Sequence, residues 1–338
     1  MRQIWISRKG GPEVLELRDA PDPAPQAGQV RIRVRAAGVN FAETLARLGL
    51  YPDAPRLPFV PGYEVAGEID GVGPGVDGAR MGQRVLALTR FGGYSDVVCV
   101  PQAQAEPLPE AVSFAEGASL PVNWITAWHM IVNLGNLKAG QRVLVHAAAG
   151  GVGTAAVQIA RRIGAEVFGT ASKAKHARLR ELGLHHAIDY RTQDFEEEVR
   201  RATAGKGVNL VLDAVGGASF RKGYRLLAPT GRLVMFGASA LASDGKRSLP
   251  QVVATLARMP AFWPLRLLND NKGVFGVNLG RLWGEAELLQ GYMREVLAGV
   301  VRGEFRPIVD SEVPFSQARR AHERLRDREN FGKILLVP

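Results

Sequence analysis

At 338 residues the chain is longer than one hydrophobic core usually serves, so two domains are expected; 46% hydrophobic and 22% charged residues describe a globular, soluble protein with no apolar run long enough to span a bilayer and no signal-peptide pattern at Met1-Arg-Gln-Ile-Trp5. The single cysteine, Cys99, excludes an internal disulfide and any multi-cysteine zinc site, and it points to a cytoplasmic setting. The net charge of +10 is carried mostly by scattered arginines, with no run of five basic residues, which argues against a nucleic-acid partner.

Residues 1 to about 120 are rich in Gly, Pro and Val and carry short period-2 segments. Gln29-Val-Arg-Ile-Arg-Val-Arg-Ala36 alternates apolar and basic residues, as a half-buried strand does; Glu13–Leu17 and Gln83–Leu88 read similarly. Pro21, Pro23 and Pro25 mark a stiff loop. This part reads as a compact β-rich domain.

From about 121 the rhythm changes to alternating strand and helix. Arg142 to His146 is an apolar strand, followed by Gly150, Gly151, Val152 and Gly153 and a small-residue helix. A strand, a glycine turn and a helix form the phosphate-binding corner of a dinucleotide fold, where backbone N–H groups and the helix start face a pyrophosphate. Against G-x-G-x-x-G, Ala148 stands at the first glycine position. Strands are expected at 166–170, 186–190, 208–215 and 231–237, and helices at 173–184 and 194–204. Such alternation implies a doubly wound parallel sheet covered on both faces. Val215, Phe236, Gly237 and Ala238 end the fourth and fifth strands, where such sheets open onto ligand.

The second strand selects the cofactor. NAD-binding forms place an acidic residue near 168–173, but the chain reads Phe168-Gly-Thr-Ala-Ser-Lys-Ala-Lys175. Ser172, Lys173 and Lys175 suit a 2′-phosphate, which points to NADPH. Val252 to Leu268 is apolar and reads as a packed connector or as a flap over substrate. Gly273 to Asn278 reads as a sixth strand at the sheet edge, where pairing with a second copy predicts a homodimer. Glu285 to Arg302 is a long amphipathic helix, and Lys333 to Pro338 a final strand.

These features resemble the medium-chain dehydrogenase/reductase superfamily over essentially the whole chain. Ala37-Gly-Val-Asn-Phe-Ala42, Arg47-Leu-Gly-Leu-Tyr51, Pro61-Gly-Tyr-Glu-Val-Ala-Gly67, Ala147–Gly153 and Gly332–Leu336 resemble its zinc-free quinone oxidoreductase branch. Gly169–Ser172 with Ile188–Tyr190, Gly276–Glu285 and the Leu335–Pro338 end resemble the vesicle amine transport protein subgroup. The resemblance implies an α/β protein: a GroES-like β-rich catalytic domain built from 1–120 and 292–338, a Rossmann domain at 121–291, and a cleft between them. It implies that Asn40 and Tyr51 line the nicotinamide and substrate pocket, with Tyr51 a proton or hydrogen-bond donor. On the cofactor side it implies Thr126, Ser172, Lys175, Tyr190, Phe275 and Val277, with Asn330 and Lys333 approaching from the last segment.

Zinc-dependent relatives bind metal through a cysteine where this chain has Asn40 and a histidine where it has Tyr63, beside Glu64. A tetrahedral zinc site needs ligands that are absent here, so no metal is expected. Glu43 and Arg47 fall at i, i+4 on the helix after Asn40, where an ion pair is expected. Without a Lewis acid, the favoured acceptors are quinones or conjugated enones, which delocalise the charge that a hydride brings. The alternative reading is a cofactor-binding regulatory or scaffold protein with little turnover.

Overall fold

The computed structural model describes residues 1–242 and 249–338, which divide into two compact units. The first holds Met1–Ile125 and Gly280–Pro338; the second holds residues 126–242 and 249–279. Residues 121–125 and 280–291 thus lie with the first unit, whereas the sequence reading set them in the second. The reason is packing: Pro121, Ile125, Ala286 and Leu289 share an apolar pocket with Leu86 and Leu88. No helix of the described residues is long and apolar enough to cross a membrane.

In chain order the first unit opens with β1 (Arg2–Ile6), β2 (Leu15–Asp19), β3 (Gln29–Val39), α1 (Phe41–Leu48), β4 (Glu64–Val72), β5 (Arg84–Leu88), β6 (Val97–Pro101), β7 (Ala105–Pro107) and α2 (Phe114–Ser119). Helix α3 (Pro121–Trp128) follows. The second unit contains β8 (Arg142–Val145), α4 (Gly151–Ile163), β9 (Glu166–Ala171), α5 (His176–Leu182), β10 (His186–Asp189), α6 (Phe195–Ala202), β11 (Val208–Asp213), α7 (Ala218–Leu226), β12 (Leu227–Met235), α8 (Leu249–Ala257), α9 (Pro264–Asp270) and β13 (Gly273–Gly276). The chain then returns to the first unit with α10 (Ala286–Val301), β14 (Val309–Pro314), α11 (Ala318–Arg326) and β15 (Lys333–Val337).

The period-2 pattern of β3 explains its place at the centre of the first sheet. Val30, Ile32 and Val34 are buried among Ile4, Val65, Ile69, Phe315 and Ile334. The alternate positions face outward: Arg31 and Arg33 both pair with Asp70 at 2.8 Å, and Arg35 with Glu68 at 2.8 Å, across the β3–β4 ladder. The sheet runs β14-β15-β3-β4-β5-β7, with β6 also on β3. Because β15 is antiparallel to β3, with Ile334 opposite Val39 and Leu336 opposite Ala37, the two ends of the chain are sewn into one unit.

The second unit is a six-stranded, wholly parallel sheet in the order β10-β9-β8-β11-β12-β13. Its near-continuous apolar strands bury Leu144, Phe168, Val211 and Leu233, as covering on both faces demands. The winding direction reverses between β8 and β11, and it is at such a switch that ligands bind, outside the carboxyl ends of the strands. Strand β13 forms one edge of the sheet. The apolar stretch 252–268, read as a packed connector or as a flap, spans most of α8, the turn after it and the start of α9. Met259 and Phe262 in the turn and Leu267 on α9 pack against the core of the sheet, while Val253, Leu256, Trp263 (69% exposed), Leu265 and Leu268 are exposed.

Candidate cofactor cradle and acceptor-side residues

Strand β8 runs into the glycine turn just where the winding reverses. Gly150 is the N-cap of α4, extended at φ −78°, and no side chain caps the first turn, so the N–H groups of Gly151, Val152 and Gly153 have no side-chain acceptor. A thirteen-residue helix ending this way offers donors and a positive dipole to an anion. Gly153 is required by contact: a Cβ there would stand 2.6 Å from Ala148 Cα, so only glycine lets α4 touch the turn that precedes it. This is a cradle that a pyrophosphate fits.

At one side of the cradle β9 ends at Ala171, and Ser172 begins a short turn over Lys173–Lys175. Lys173 is exposed and Lys175 half-buried. The β9–β10 register sets Asp189 opposite Ala171, which brings Tyr190 beside Ser172. The Arg191 guanidinium lies 5.9 Å over the Tyr190 ring. The Asp189 carboxylate accepts the backbone N–H of Arg191 at 3.1 Å. The 2′-phosphate of a phosphorylated dinucleotide fits such an end.

At the other side, β11 ends at Asp213, which is buried. Its Oδ1 accepts the N–H groups of Val215 at 2.7 Å and Gly216 at 3.2 Å, and its Oδ2 accepts the Ser219 hydroxyl at 2.6 Å. The loop carrying Val215 is bound in turn to the next: Phe236 N–H donates to the Asp213 carbonyl and Ser239 N–H to that of Ala214. Phe236, Gly237 and Ala238 therefore sit in one layer with Val215. Phe275 lies on β13 opposite Val234, and Val277 N–H donates to Met235. Thr126 is buried on α3. Thus Gly150–Gly153, Ser172, Lys173, Lys175, Tyr190, Val215, Phe236–Ala238, Phe275 and Val277 all lie at or just beyond strand ends of one parallel sheet.

Asn40, Tyr51, Asn330 and Lys333 belong to the first unit. Asn40 caps α1, and the Glu43 carboxylate accepts its backbone N–H. The Asn40 amide donates to Glu64 Oε1 at 3.0 Å and to Glu43 Oε1 at 3.3 Å, and its Oδ1 accepts from Lys333 Nζ at 2.5 Å. Lys333 also pairs with Glu64, whose second oxygen accepts the Val122 N–H at 2.7 Å. The network is buried throughout, and Gly38 is part of it, since a Cβ there would stand 2.6 Å from Lys333 Cε. Burial pushes the Glu43 carboxyl up to about 8, with Lys333 opposing the shift. Asn330 donates to the Gly332 carbonyl at 2.8 Å.

The expected Glu43–Arg47 ion pair is not what α1 builds. Glu43 turns to Asn40, while Arg47 reaches the Gly10 carbonyl at 2.5 Å. Tyr51 stands edge-on to Tyr63, centroids 6.3 Å apart, and Tyr63 packs on Phe91 at 4.8 Å. Burial raises the Tyr51 phenol above its usual range, so its hydroxyl keeps its proton at neutral pH.

Sequence reasoning missed His146, Thr170 and Asp213. The available signal was a polar residue at or next to the carboxyl end of each of three mainly apolar strands.

A chain that carries both a Rossmann-type cradle and a GroES-like unit defines a nicotinamide-cofactor oxidoreductase of the two-unit class, and the comparisons with known proteins agree. The family model described as the alcohol dehydrogenase GroES-like domain matches residues 26–110, and that described as zinc-binding dehydrogenase matches 151–287. The human synaptic vesicle membrane protein VAT-1 homolog is 44% identical, the match covering 100% of this chain and 86% of the relative. Rat quinone oxidoreductase is 33% identical over 100% of this chain and 98% of its own. The Escherichia coli quinone oxidoreductase complexed with NADPH superposes with a TM-score of 0.88 at 30% identity, covering 100% of both chains. The chain belongs to the medium-chain dehydrogenase/reductase superfamily, in the VAT-1-like part of its quinone oxidoreductase branch.

The zinc implied by one of those family descriptions does not fit the residues present. Asn40 offers an amide oxygen already taken by an ammonium, Tyr63 offers a buried aromatic ring, and Glu64 is paired with Lys333. A dication would have to displace that ammonium from both oxygens. Among the described residues no three His, Cys, Asp or Glu side chains converge on a metal position.

Proposed function

We propose that this chain reduces quinones, or carbon–carbon double bonds activated by a carbonyl, using NADPH and no metal. The observation that carries the reading is the phosphate cradle at the β8–β11 switch, joined to a β9 end with two lysines and no carboxylate. Gly150–Gly153 hold the pyrophosphate, and Ser172, Lys173, Lys175 and Tyr190 hold the 2′-phosphate. Val215, Phe236–Ala238, Phe275 and Val277 orient the nicotinamide, with Thr126. Bound NADPH supplies a hydride.

On the acceptor side, hydride addition to a conjugated system leaves negative charge on a remote oxygen. Tyr51 meets that oxygen with a hydroxyl that burial keeps protonated, and it donates a hydrogen bond or the proton that completes the reduction. Asn40, fixed by Lys333, Glu64 and Glu43, shapes the loop that presents this surface. Strand β13, at the edge of its sheet, is the proposed contact for a homodimer, which sedimentation or light scattering tests.

The test of the function is steady-state NADPH oxidation with a panel of quinones and enones, in chelator-treated protein. Turnover with either class supports the reading. Tight NADPH binding with no turnover on any acceptor overturns it in favour of a cofactor-binding scaffold.

A further inference from the structure

His146 follows the last residue of β8 and directly precedes the phosphate turn, and at 3% exposure it is shut away from water. Its Nδ1 lies 3.1 Å from Thr170 Oγ1 on β9. That same hydroxyl oxygen accepts the backbone N–H of Ala147, at 3.2 Å. On the opposite side of the ring, Nε2 faces Asp213 Oδ2 on β11 at 3.9 Å. Phe195 covers one face, edge-on at 4.5 Å. The imidazole thus hydrogen-bonds the hydroxyl that holds the first residue of the phosphate turn, and its buried Nε2 points, without a hydrogen bond, at the carboxylate that organises the Val215 loop.

The protonation pattern follows from this geometry. Burial lowers the pKa of the ring, so it is neutral and carries one N–H. Thr170 already accepts from Ala147 and can spend its own proton on Nδ1. The ring proton is then on Nε2, aimed at the Asp213 carboxylate. The other tautomer would set a lone pair against that carboxylate and leave the Thr170 proton without an acceptor.

We propose that His146 is a positioning residue that fixes the phosphate turn to the Asp213 loop, so that the two ends of the cofactor cradle are held in register across the β8–β11 switch. Asp213 Oδ2 receives both the Ser219 hydroxyl and the field of the His146 N–H, while Oδ1 holds Val215 and Gly216. Losing the imidazole leaves that carboxylate one stabilising dipole short. The inference rests on the reading of the cradle as a nucleotide site.

The experiment compares two probes on the full chain: NADPH, which spans the whole cradle, and 2′,5′-ADP, which reaches only the β9 side and the phosphate turn. His146→Phe keeps the ring volume and the Phe195 contact but removes the Thr170 hydrogen bond and the polar nitrogen that faces Asp213. Its NADPH Kd is expected to rise about tenfold or more, roughly 1.4 kcal/mol, while its 2′,5′-ADP Kd stays within about threefold of wild type. His146→Gln, which can restore a donor toward Asp213, is expected to recover most of the loss, and it also serves if His146→Phe does not fold. Nitrogen-15 NMR of the wild-type imidazole should show the proton on Nε2. Equal losses for both probes, no loss for NADPH, or a proton on Nδ1 overturns the inference. A wild-type chain that binds neither probe overturns the nucleotide reading itself.

Discussion

The ammonium of Lys333, near the last residue of the chain, lies 2.5 Å from the side-chain oxygen of Asn40 and pairs with Glu64. The contact exists because β15 runs antiparallel to β3, whose end delivers Asn40. Breaking such a pair leaves a carboxylate without its partner in a place water does not reach. Lys333→Met is expected to destabilise the protein by about 3 kcal/mol or more, and Lys333→Met with Glu64→Gln to recover most of that. Urea melts of the three proteins check it. Since the resemblance assigns Lys333 to the cofactor, NADPH affinity is informative too. A Kd within a few-fold of wild type would show that the ammonium serves the network alone.

In the proposed reading the cofactor's 2′-phosphate is met by Ser172, Lys173 and Lys175 at the end of β9. Changing both lysines to Ala is expected to narrow the NADPH-over-NADH preference by about tenfold or more, because each charge-assisted hydrogen bond contributes roughly 1.5–3 kcal/mol. Titration of both nucleotides measures the ratio, and an unchanged ratio would contradict the assignment.

Tyr51→Phe removes the hydroxyl while keeping the ring that packs on Tyr63. If the hydroxyl donates to the reduced acceptor, kcat should fall roughly ten- to a hundredfold or more, with NADPH Kd nearly constant. A kcat close to wild type would make Tyr51 a wall of the pocket and no more.

Glu43 gives the pH dependence its shape. An unfolded glutamate ionises near 4.5, whereas the folded one holds its proton up to about 8. Between those values the unfolded chain releases a proton that the folded chain keeps, so this group's contribution to stability is complete at low pH and is lost as pH rises through about 8. Glu43→Gln has no such proton. The stability of the wild type relative to this variant should decline from pH 4.5 to 8 and level off above, as denaturant melts across pH would show; a flat difference would contradict the burial of the carboxyl.

Much of this architecture is legible in the sequence because it is written in local periodicity. The alternation of Val30, Ile32 and Val34 with Arg31, Arg33 and Arg35 predicts β3 and its exposed face. The glycine turn after an apolar strand predicts the start of α4. The groups that give the site its character are legible less well, because their partners are distant in the chain. Lys333 meets Asn40 across 293 positions, and nothing near Asn40 announces a lysine. His146 meets Thr170 across 24 positions through the β8–β9 register, which the motif alone does not specify. Arg47 misleads for the opposite reason: its spacing from Glu43 suits an ion pair, but the capping of Asn40 claims the carboxylate first. The outward apolar residues of α8 and α9 follow from composition, whereas the inward turn of Met259, Phe262 and Leu267 depends on the sheet they cover.

The central claim is that a phosphate cradle specific for NADPH feeds electrons to a delocalised acceptor without a metal. Its most direct measurement is the rate of NADPH oxidation with a quinone, before and after exhaustive chelation, beside the same assay with NADH. The account predicts turnover that survives chelation and is much faster with NADPH at equal, subsaturating concentrations. Activity that vanishes with the metal and returns with added zinc would contradict it.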